Sequence, residues 1–550
     1  MTPDEPLAAW RLMQVEIPLD ASEEQLRTQA AQELGFDARQ LRGFRIARKA
    51  LDARVRSGSR RLRWVCHVDL LVDARRRPQR LEQALRTGRA KPAPPQPTLR
   101  AEHVDPAWRA SGSAPVVVVG AGPGGLFAAH VLALNGARVV LLERGPQVEQ
   151  RGRHVVRFHR TRVVDPERNL LFGEGGAGTY SDGKIYTRVD DPLEVPLLEE
   201  LVTCGAPPAI VYDSSAHIGT DKLHRILPRL RARLVELGVE FRFETRLEDL
   251  VLRDGRVHAV RTSSGEVEAA AVVLAPGHSA RDTWSALHAR GVAFDSKPFQ
   301  LGVRIEHPQE LIDRARFGAR IPELGAASYN LVCRASPNTP SAFSFCMCPG
   351  GKIVASVSEP GLLCTNGMSN SKHSSAWATS ALVTTFGPEH FGAGPFAGVA
   401  FQRELEQRFF AAGGGDYTAP AQGARDFIEG REPAHVRRST YTFGERPGRI
   451  DELLPPLARD AIRRALAHFE GQIAHFSSNE GLLVGLESRS SGPVRMLRDP
   501  ASRRALGIEN LYPVGEGAGY AGGIMSAALD GANSALALLA SSPASRPLAP

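Results

Sequence analysis

Gly120, Gly122 and Gly125, spaced as G-x-G-x-x-G within Val119-Gly-Ala-Gly-Pro-Gly-Gly125, are the residues whose types and spacing bear most directly on chemistry, and Glu143 stands 21 positions after Gly122. In that pattern the first glycine makes a tight turn, the second lets backbone approach a pyrophosphate, and the third lets a helix pack closely on a strand. Pro123 and Gly124 fall in the same turn. A helix starting here would offer free N–H groups and a positive dipole end to a diphosphate, while Glu143 would accept from an adenosine ribose. Bare text of this kind also fits a structural glycine turn, so the context decides. An apolar β-branched run, Pro115-VVVV, precedes the glycines, a helical pattern of about Gly124 to Leu134 follows, and Ala137 to Leu142 reads as the next strand. This βαβ unit predicts an adenine-dinucleotide site.

The elements around it follow from periodicity. Before residue 100 the chain reads as a small β-α-β-β unit: a strand at Leu12 to Pro18, a helix at Ser22 to Leu34, and strands at Phe44 to Leu51 and Leu62 to Val72, the last two separated by a turn at Ser57-Gly58-Ser59. The proline-rich Lys91-PAPPQP is a stiff linker. Beyond the βαβ unit, Lys222 to Leu237 is an amphipathic helix, Val239 to Phe243 a strand, Leu250 to Thr262 a hairpin about Asp254-Gly255, and Ala269 to Gly277 a buried strand ending in a turn. From about Phe299 to Thr440 the pattern becomes irregular, with strands such as Leu301 to Ile305 and Lys352 to Val357. The fold class expected is α/β: a Rossmann-like dinucleotide-binding domain, an inserted α+β substrate-side domain, and a small N-terminal β-α-β-β (ferredoxin-like) domain. The boundaries are 1–90, a linker at 91–112, 113–298 for the first dinucleotide part, 299–440 for the insertion and 441–542 for the second part.

FAD enters by resemblance. The βαβ unit closes on Glu143-Arg144-Gly145, which resembles the flavoproteins of the glutathione-reductase-like superfamily, and so do Val272-VLAPG277 and Asn510-LYPVGEG517. The resemblance implies that Gly277 contacts FAD and that Gly515 and Glu516 form a second FAD motif, with Glu516 where a carboxylate, usually Asp, meets the ribityl chain or pyrophosphate. Gly523 and Ile524 begin a helix whose N-terminus would point at the pyrimidine end of the flavin and stabilise charge there. More narrowly, the chain resembles a bacterial family of uncharacterised FAD-dependent dehydrogenases with an N-terminal extension, through Lys49-ALDAR54, Phe172-GEGGAGTYSDGK184, Ser344-FCMCPGG351 with Asn366-GM368, and Gly485-LESRSSGPVR495.

Other candidates are weighed residue by residue. Gly176, Gly178 and Lys184 lie in a glycine-rich loop suited to close approach by flavin or diphosphate. Cys346 and Cys348 flank Met347 in a C-x-C, neither the CxxC nor the CxxxxC of disulfide reductases. Their thiols are expected to point to opposite faces of a strand and to be buried as small apolar groups. His217, His278, His373 and His475 could each move a proton, but sequence places none at the flavin, so no catalytic residue is nominated.

The chain of 550 residues carries a net charge of +8, concentrated at residues 51–100, where 13 basic groups stand against 4 acidic ones. Arg-rich surface is usually just solvated, so nucleic acid is not assigned as a partner. Six cysteines without zinc spacing indicate neither a structural metal nor a disulfide framework. The N-terminal residues do not read as a secretory signal, and the apolar stretch Ala521 to Ala540 is broken by Asp530, so the expectation is a cytoplasmic protein without a membrane partner. No second βαβ unit is seen for a nicotinamide cofactor, which would then bind only transiently at the flavin face. Function is expected to be that of an FAD-dependent dehydrogenase or reductase passing hydride through the flavin to or from a small-molecule substrate. The alternatives are an FAD-dependent monooxygenase and a flavin-containing module that docks RNA or protein.

Overall fold

A computed structural model describes residues 6–56, 59–60, 62–95, 97–109 and 113–542. The turn expected at Ser57-Gly58, Gln96 of the linker and residues 110–112 near the expected boundary lie outside them. The chain divides into two compact units, one running to Pro97 and taking in Pro207–His217, the other comprising Thr98–Ala206 and the chain from Ile218 on.

In the first unit β1 (Leu7–Ile17), β2 (Gly43–Asp52), β3 (Arg63–Asp73) and β4 (Ala90–Pro92) form an antiparallel sheet in the order β2-β3-β1-β4. Helices α1 (Glu23–Glu33) and α2 (Gln79–Arg86) complete it, so the pattern extends past β-α-β-β by a second helix and a short strand. Ser22 caps α1 in a reciprocal capping box with Gln25. Pro207–His217 joins this unit through Lys49, whose N–H donates to the Tyr212 carbonyl at 2.7 Å and whose carbonyl accepts from Ser214 at 3.0 Å. No local sequence signal marks that excursion.

The second unit holds a parallel five-stranded sheet of β5 (Val116–Val119), β6 (Val139–Leu142), β7 (Glu240–Arg242), β8 (Ala271–Leu274) and β16 (Leu511–Pro513), in the order β16-β8-β5-β6-β7. All four residues of β5, β6 and β8 are buried, as expected of parallel strands covered on both faces. Helix α3 (Pro123–Leu134) links β5 to β6, α4 (Val148–Thr161) follows, and α5 (Thr220–Glu236) leads into β7. The hairpin pairs Leu247–Arg253 with Arg256–Thr262, and Asp254 takes the left-handed φ of 49° that its turn requires.

A seven-stranded sheet forms the rest. Its strands are β9 (Phe299–Pro308), β10 (Val332–Cys333), β11 (Ala342–Cys348), β12 (Trp377–Phe386), β13 (Ala419–Gly423), β14 (Glu445–Pro447) and β15 (Leu482–Glu487), ordered β10-β11-β12-β9-β15-β13-β14. It therefore runs past the boundary at 440 drawn from sequence, because β15 pairs with β9 across almost 180 residues. Helices α6 (Arg281–Ala289), α7 (Ala397–Gly413), α8 (Pro456–Glu470) and the C-terminal α9 (Ile524–Ala540) complete the elements that matter for the site.

Candidate functional site

Three glycines of the first motif do three different things. Gly120 has φ 102°, and a Cβ there would lie 2.2 Å from the Ala275 carbonyl oxygen. At Gly125 a Cβ would lie 1.9 Å from the Gly120 carbonyl oxygen, so helix and turn touch. Gly122 is neither strained nor crowded: it caps α3 in extended conformation with φ −76°, and a Cβ there meets nothing within 4 Å. No side chain caps α3, so its N–H groups face that open space.

A second helix start lies close by. Helix α9 opens after Gly523, again without a side-chain cap, and Cβ atoms at Gly522 and Gly523 would meet nothing within 4 Å. The two helices cross tightly, since a Cβ at Gly531 would stand 2.0 Å from the Gly124 carbonyl oxygen. The glycine-rich loop, a 3-10 turn at Gly176–Tyr180, spans both starts: a Cβ on Gly176 would reach Gly122 Cα at 3.2 Å, and one on Gly178 would reach Ile524 at 3.0 Å. Its carbonyls are gathered by the buried Arg151 of α4, whose guanidinium donates to Glu174 O at 2.7 Å, Gly176 O at 2.9 Å and Leu170 O at 2.8 Å. Gly277 adds another open Cβ position, at φ 81°, and Gly517 packs against its backbone. Gly515 is held by Asp530 of α9, which accepts from its N–H at 2.8 Å and also pairs with Arg498 and Arg503.

Glu143 is buried and gathers three backbone donors from three segments. Oε2 accepts from Ala121 at 2.8 Å, and Oε1 from Gly145 at 2.8 Å and Gly173 at 2.9 Å. A carboxylate offers about four acceptor positions, which leaves room for a ribose hydroxyl. Arg144 faces carboxylates instead of open space: it pairs with Glu167 and Asp282, each at 2.8 Å, and lies over the Phe172 ring. Open Cβ positions at residues 122, 277, 522 and 523, two uncapped helix starts and an acceptor at the end of β6 are what an adenine dinucleotide bearing a flavin needs.

A charged cluster continues from the loop. Lys184 pairs with Asp182 at 2.8 Å and donates to the Met347 carbonyl, so its ammonium is directed to Asp182 and β11. Burial alone would raise the Asp182 carboxyl, but Lys184, His373 and Ser369 outweigh it and hold it well below the usual range. His373 Nε2 stands 3.4 Å from Asp182. Arg304 and Glu487 form a fully buried pair at 3.1 Å, and burial pushes the Glu487 carboxyl up to about 7 in spite of Arg304. Glu516, half-buried, is likewise pushed up to about 7 by burial; Lys297 opposes the shift and Cys346 adds to it. Among the four histidines singled out, His278 beside Gly277 is kept neutral by burial, at about 4, with Nδ1 2.8 Å from Ser279 Oγ. His475 is exposed, and His217 belongs to the first unit.

Cys346 and Cys348 depart from expectation. Residues two apart on a regular strand share a face, so opposed thiols do not follow from a C-x-C on a strand. A bulge interrupts β11, with Phe345 opposite Ala381 but Cys348 opposite Thr379, and Cys346 adopts a left-handed φ of 44°. The Cys348 thiol donates back to the Cys346 carbonyl oxygen at 3.3 Å. Arg304 and Lys297 have no motif to announce them; Asp182 and Glu487 lie in stretches that carry the family resemblance, His373 is one of the four histidines singled out, and Asp530 reads in sequence only as a break in an apolar stretch.

Comparison with known proteins matches residues 113–163 to a FAD binding domain, 191–322 to a family of FAD dependent oxidoreductases, and 298–490 to the C-terminal domain of FAD-dependent proteins. Residues 10–59 match a domain of unknown function. A protein of Clostridium beijerinckii described as uncharacterized is 42% identical over 420 residues, covering 76% of this chain and 79% of that protein. Among solved structures, NikD, an unusual amino acid oxidase essential for nikkomycin biosynthesis, aligns over 78% of this chain and 95% of its own at 14% identity and a TM-score of 0.31. L-proline dehydrogenase from P. horikoshii aligns over 77% and 92% at 10% identity and a TM-score of 0.30.

Proposed function

We propose, for a chain that belongs to a family of FAD-dependent oxidoreductases, that the cradle between α3 and α9 is its FAD site and that the enzyme is a dehydrogenase or reductase acting on a small molecule. FAD as cofactor and oxidoreduction as activity follow from the family. Placement of the cofactor is supported above all by the two uncapped helix starts, at Gly122 and Gly523, lying side by side under one glycine-rich loop.

When bound, FAD supplies two-electron chemistry, including hydride transfer at the flavin. The chain's own part is binding and charge. Gly122, Gly124 and Gly125 present backbone N–H groups and the dipole of α3 to the diphosphate, with Pro123 starting the helix. Glu143 takes the ribose hydroxyl, Gly176 and Gly178 cover the cofactor, Gly277 leaves space for it, and Gly515 makes the left-handed turn beside it. Gly523 and Ile524 direct the α9 dipole to the end of the flavin where negative charge develops on reduction. Arg144 secures the wall through Glu167 and Asp282, and Lys184 secures it through Asp182. Glu516, raised to about 7, holds or releases a proton near neutral pH.

Heat release of the bound flavin followed by chromatography tests the cofactor; FMN alone would contradict the reading of Glu143 and Gly122. Anaerobic mixing of the yellow holoprotein with panels of small metabolites, followed by flavin bleaching, tests the reaction. Bleaching by a metabolite, with colour returning on addition of an electron acceptor, is expected. If no reductant other than a chemical one bleaches it, the dehydrogenase reading fails.

A further inference from the structure

Cys346 and Cys348 are not among the residues that form the cradle, yet their surroundings are built. The bulge in β11 adds one residue between the ladder partners Ala381 and Thr379. Two residues of regular strand advance about 6.6 Å, within the range of about 4.4–6.8 Å between Cα atoms that a disulfide bridges, and Cys346 takes a left-handed φ of 44° in the bulge. The Cys348 thiol donates to the Cys346 carbonyl oxygen at 3.3 Å. Cys348 is fully buried, whereas Cys346 is partly exposed.

Two cations hold this turn. Arg304 donates to the Cys346 carbonyl at 3.2 Å and approaches Cys348 Sγ at 4.0 Å, and Lys184 donates to the Met347 carbonyl. The adjacent Cys348 thiol, aided by Lys184 and Arg304 against the opposing effects of burial and Asp182, lowers the Cys346 thiol below its ordinary value. A thiolate is the reactive form of cysteine. The turn is also tied to the cofactor cradle. Lys184 ends the loop whose Gly176 and Gly178 face Gly122 and Ile524, and Cys346 is close enough to raise the Glu516 carboxyl.

We propose that Cys346 and Cys348 form a dithiol–disulfide centre that exchanges an electron pair with the flavin. The proposal rests on the FAD site described above. In the oxidising direction two S–H bonds break and one S–S bond forms. The electron pair and one proton pass to oxidised flavin, and the second proton leaves to water on the partly exposed side of Cys346. The reverse step opens the disulfide with electrons that substrate has delivered to the flavin.

The test begins with flavin content, which separates a failure of the FAD reading from a failure of this one. Fully oxidised holoprotein, titrated anaerobically with dithionite, should take up about four electrons per flavin, two for each centre. The C346S and C348S proteins should take up about two. The unmodified protein provides a check that needs no variant: in the oxidised state a thiol-alkylating reagent applied under denaturing conditions should label four of the six cysteines, sparing 346 and 348. After reduction of the flavin all six should be labelled. A protein with full FAD that takes up about two electrons, and whose Cys346 and Cys348 are alkylated in every state, would overturn the proposal.

Discussion

Glu143→Gln tests how the adenosine end of the cradle is built. The carboxylate satisfies three buried backbone donors, from Ala121, Gly145 and Gly173, at 2.8, 2.8 and 2.9 Å. An amide of the same volume keeps one oxygen. If that oxygen stays with Gly145 and Gly173, the new NH2 group faces the Ala121 N–H, donor against donor. A buried donor left without a partner costs about 1–3 kcal/mol, and each of the two remaining bonds loses about 1 kcal/mol when its acceptor becomes neutral. The total is about 3–5 kcal/mol. The turn at Gly120 and the loop at Gly173 both depend on these bonds, so relaxation there moves much of this cost into cofactor binding. About 3 kcal/mol corresponds to roughly a 100-fold rise in Kd.

FAD-free parent and variant, prepared in parallel, would be titrated with FAD and followed by flavin fluorescence, and their thermal unfolding compared without cofactor. The expectation is at least a tenfold weaker Kd together with a lower melting temperature of the FAD-free form. A Kd within about threefold of the parent, with unchanged melting, would refute the reasoning, because the carboxylate would then hold neither the turn nor the ribose.

Other substitutions separate fold from cofactor. Gly122→Val should leave the FAD-free protein as stable as the parent to within about 0.5 kcal/mol, since its Cβ meets nothing and its φ of −76° suits any residue, yet abolish FAD binding; a variant that stays yellow would contradict the cradle. Glu516→Gln should alter the pH profile. With a folded-state value near 7 against the ordinary 4.5, the parent binds an extra proton when folded between those values and loses stability as pH rises through about 7. The Gln protein lacks that loss, so its melting temperature relative to the parent should climb between pH 5 and pH 8, and a constant difference would show that Glu516 is not a buried carboxyl. Removing residues 1–97 should leave a yellow protein that proteases cut within Pro207–His217, because that segment loses its backbone bonds to Lys49; a colourless product would mean that the first unit is needed to retain FAD.

Features carried by neighbours along the chain are legible in the residues themselves. The βαβ unit, the Asp254-Gly255 hairpin and the start of α9 at Ile524 each depend on a few adjacent residues, and their strands and helices fall within a residue or a few of the expected limits. What is hidden from such a reading depends on distant pairs. Nothing near Asp530 says that it holds Gly515, and in a sequence window it reads only as a charge interrupting an apolar helix. The excursion of Pro207–His217 into the first unit is decided by a bridge to Lys49, 164 residues earlier. The bulge at Cys346 cannot be seen from C-x-C, because the register that creates it is set by β12. Likewise β15 resembles any buried strand, and only its pairing with β9 assigns it to the larger sheet.

The same distant pairs explain how two sheets can present one site. Buried ions are costly to desolvate, and they stabilise only where each charge is matched in position and hydrogen bonding. Glu406 of α7 meets that condition twice, accepting from Arg281 at 3.0 Å and from Arg489 at 2.8 Å, and these two opposing charges hold its carboxyl well below the usual range although burial pushes the other way. Arg281 begins α6, four residues after Gly277, and Gly277 abuts Gly517 of the C-terminal motif. Arg489 follows β15 by two residues, and Glu487 at the end of that strand holds Arg304 of β9. Arg304 in turn holds the bulge at Cys346. A continuous run of buried, matched charges therefore connects the turn at Gly277 to β11. Sliding β15 by one residue against its neighbours would separate Arg304 from Glu487 and Arg489 from Glu406 at about 3–5 kcal/mol each, and would also turn the buried apolar side chains of that strand to the opposite face. The position of the thiol pair relative to Gly277 and Glu516 is thus set by electrostatics that tolerate a single register.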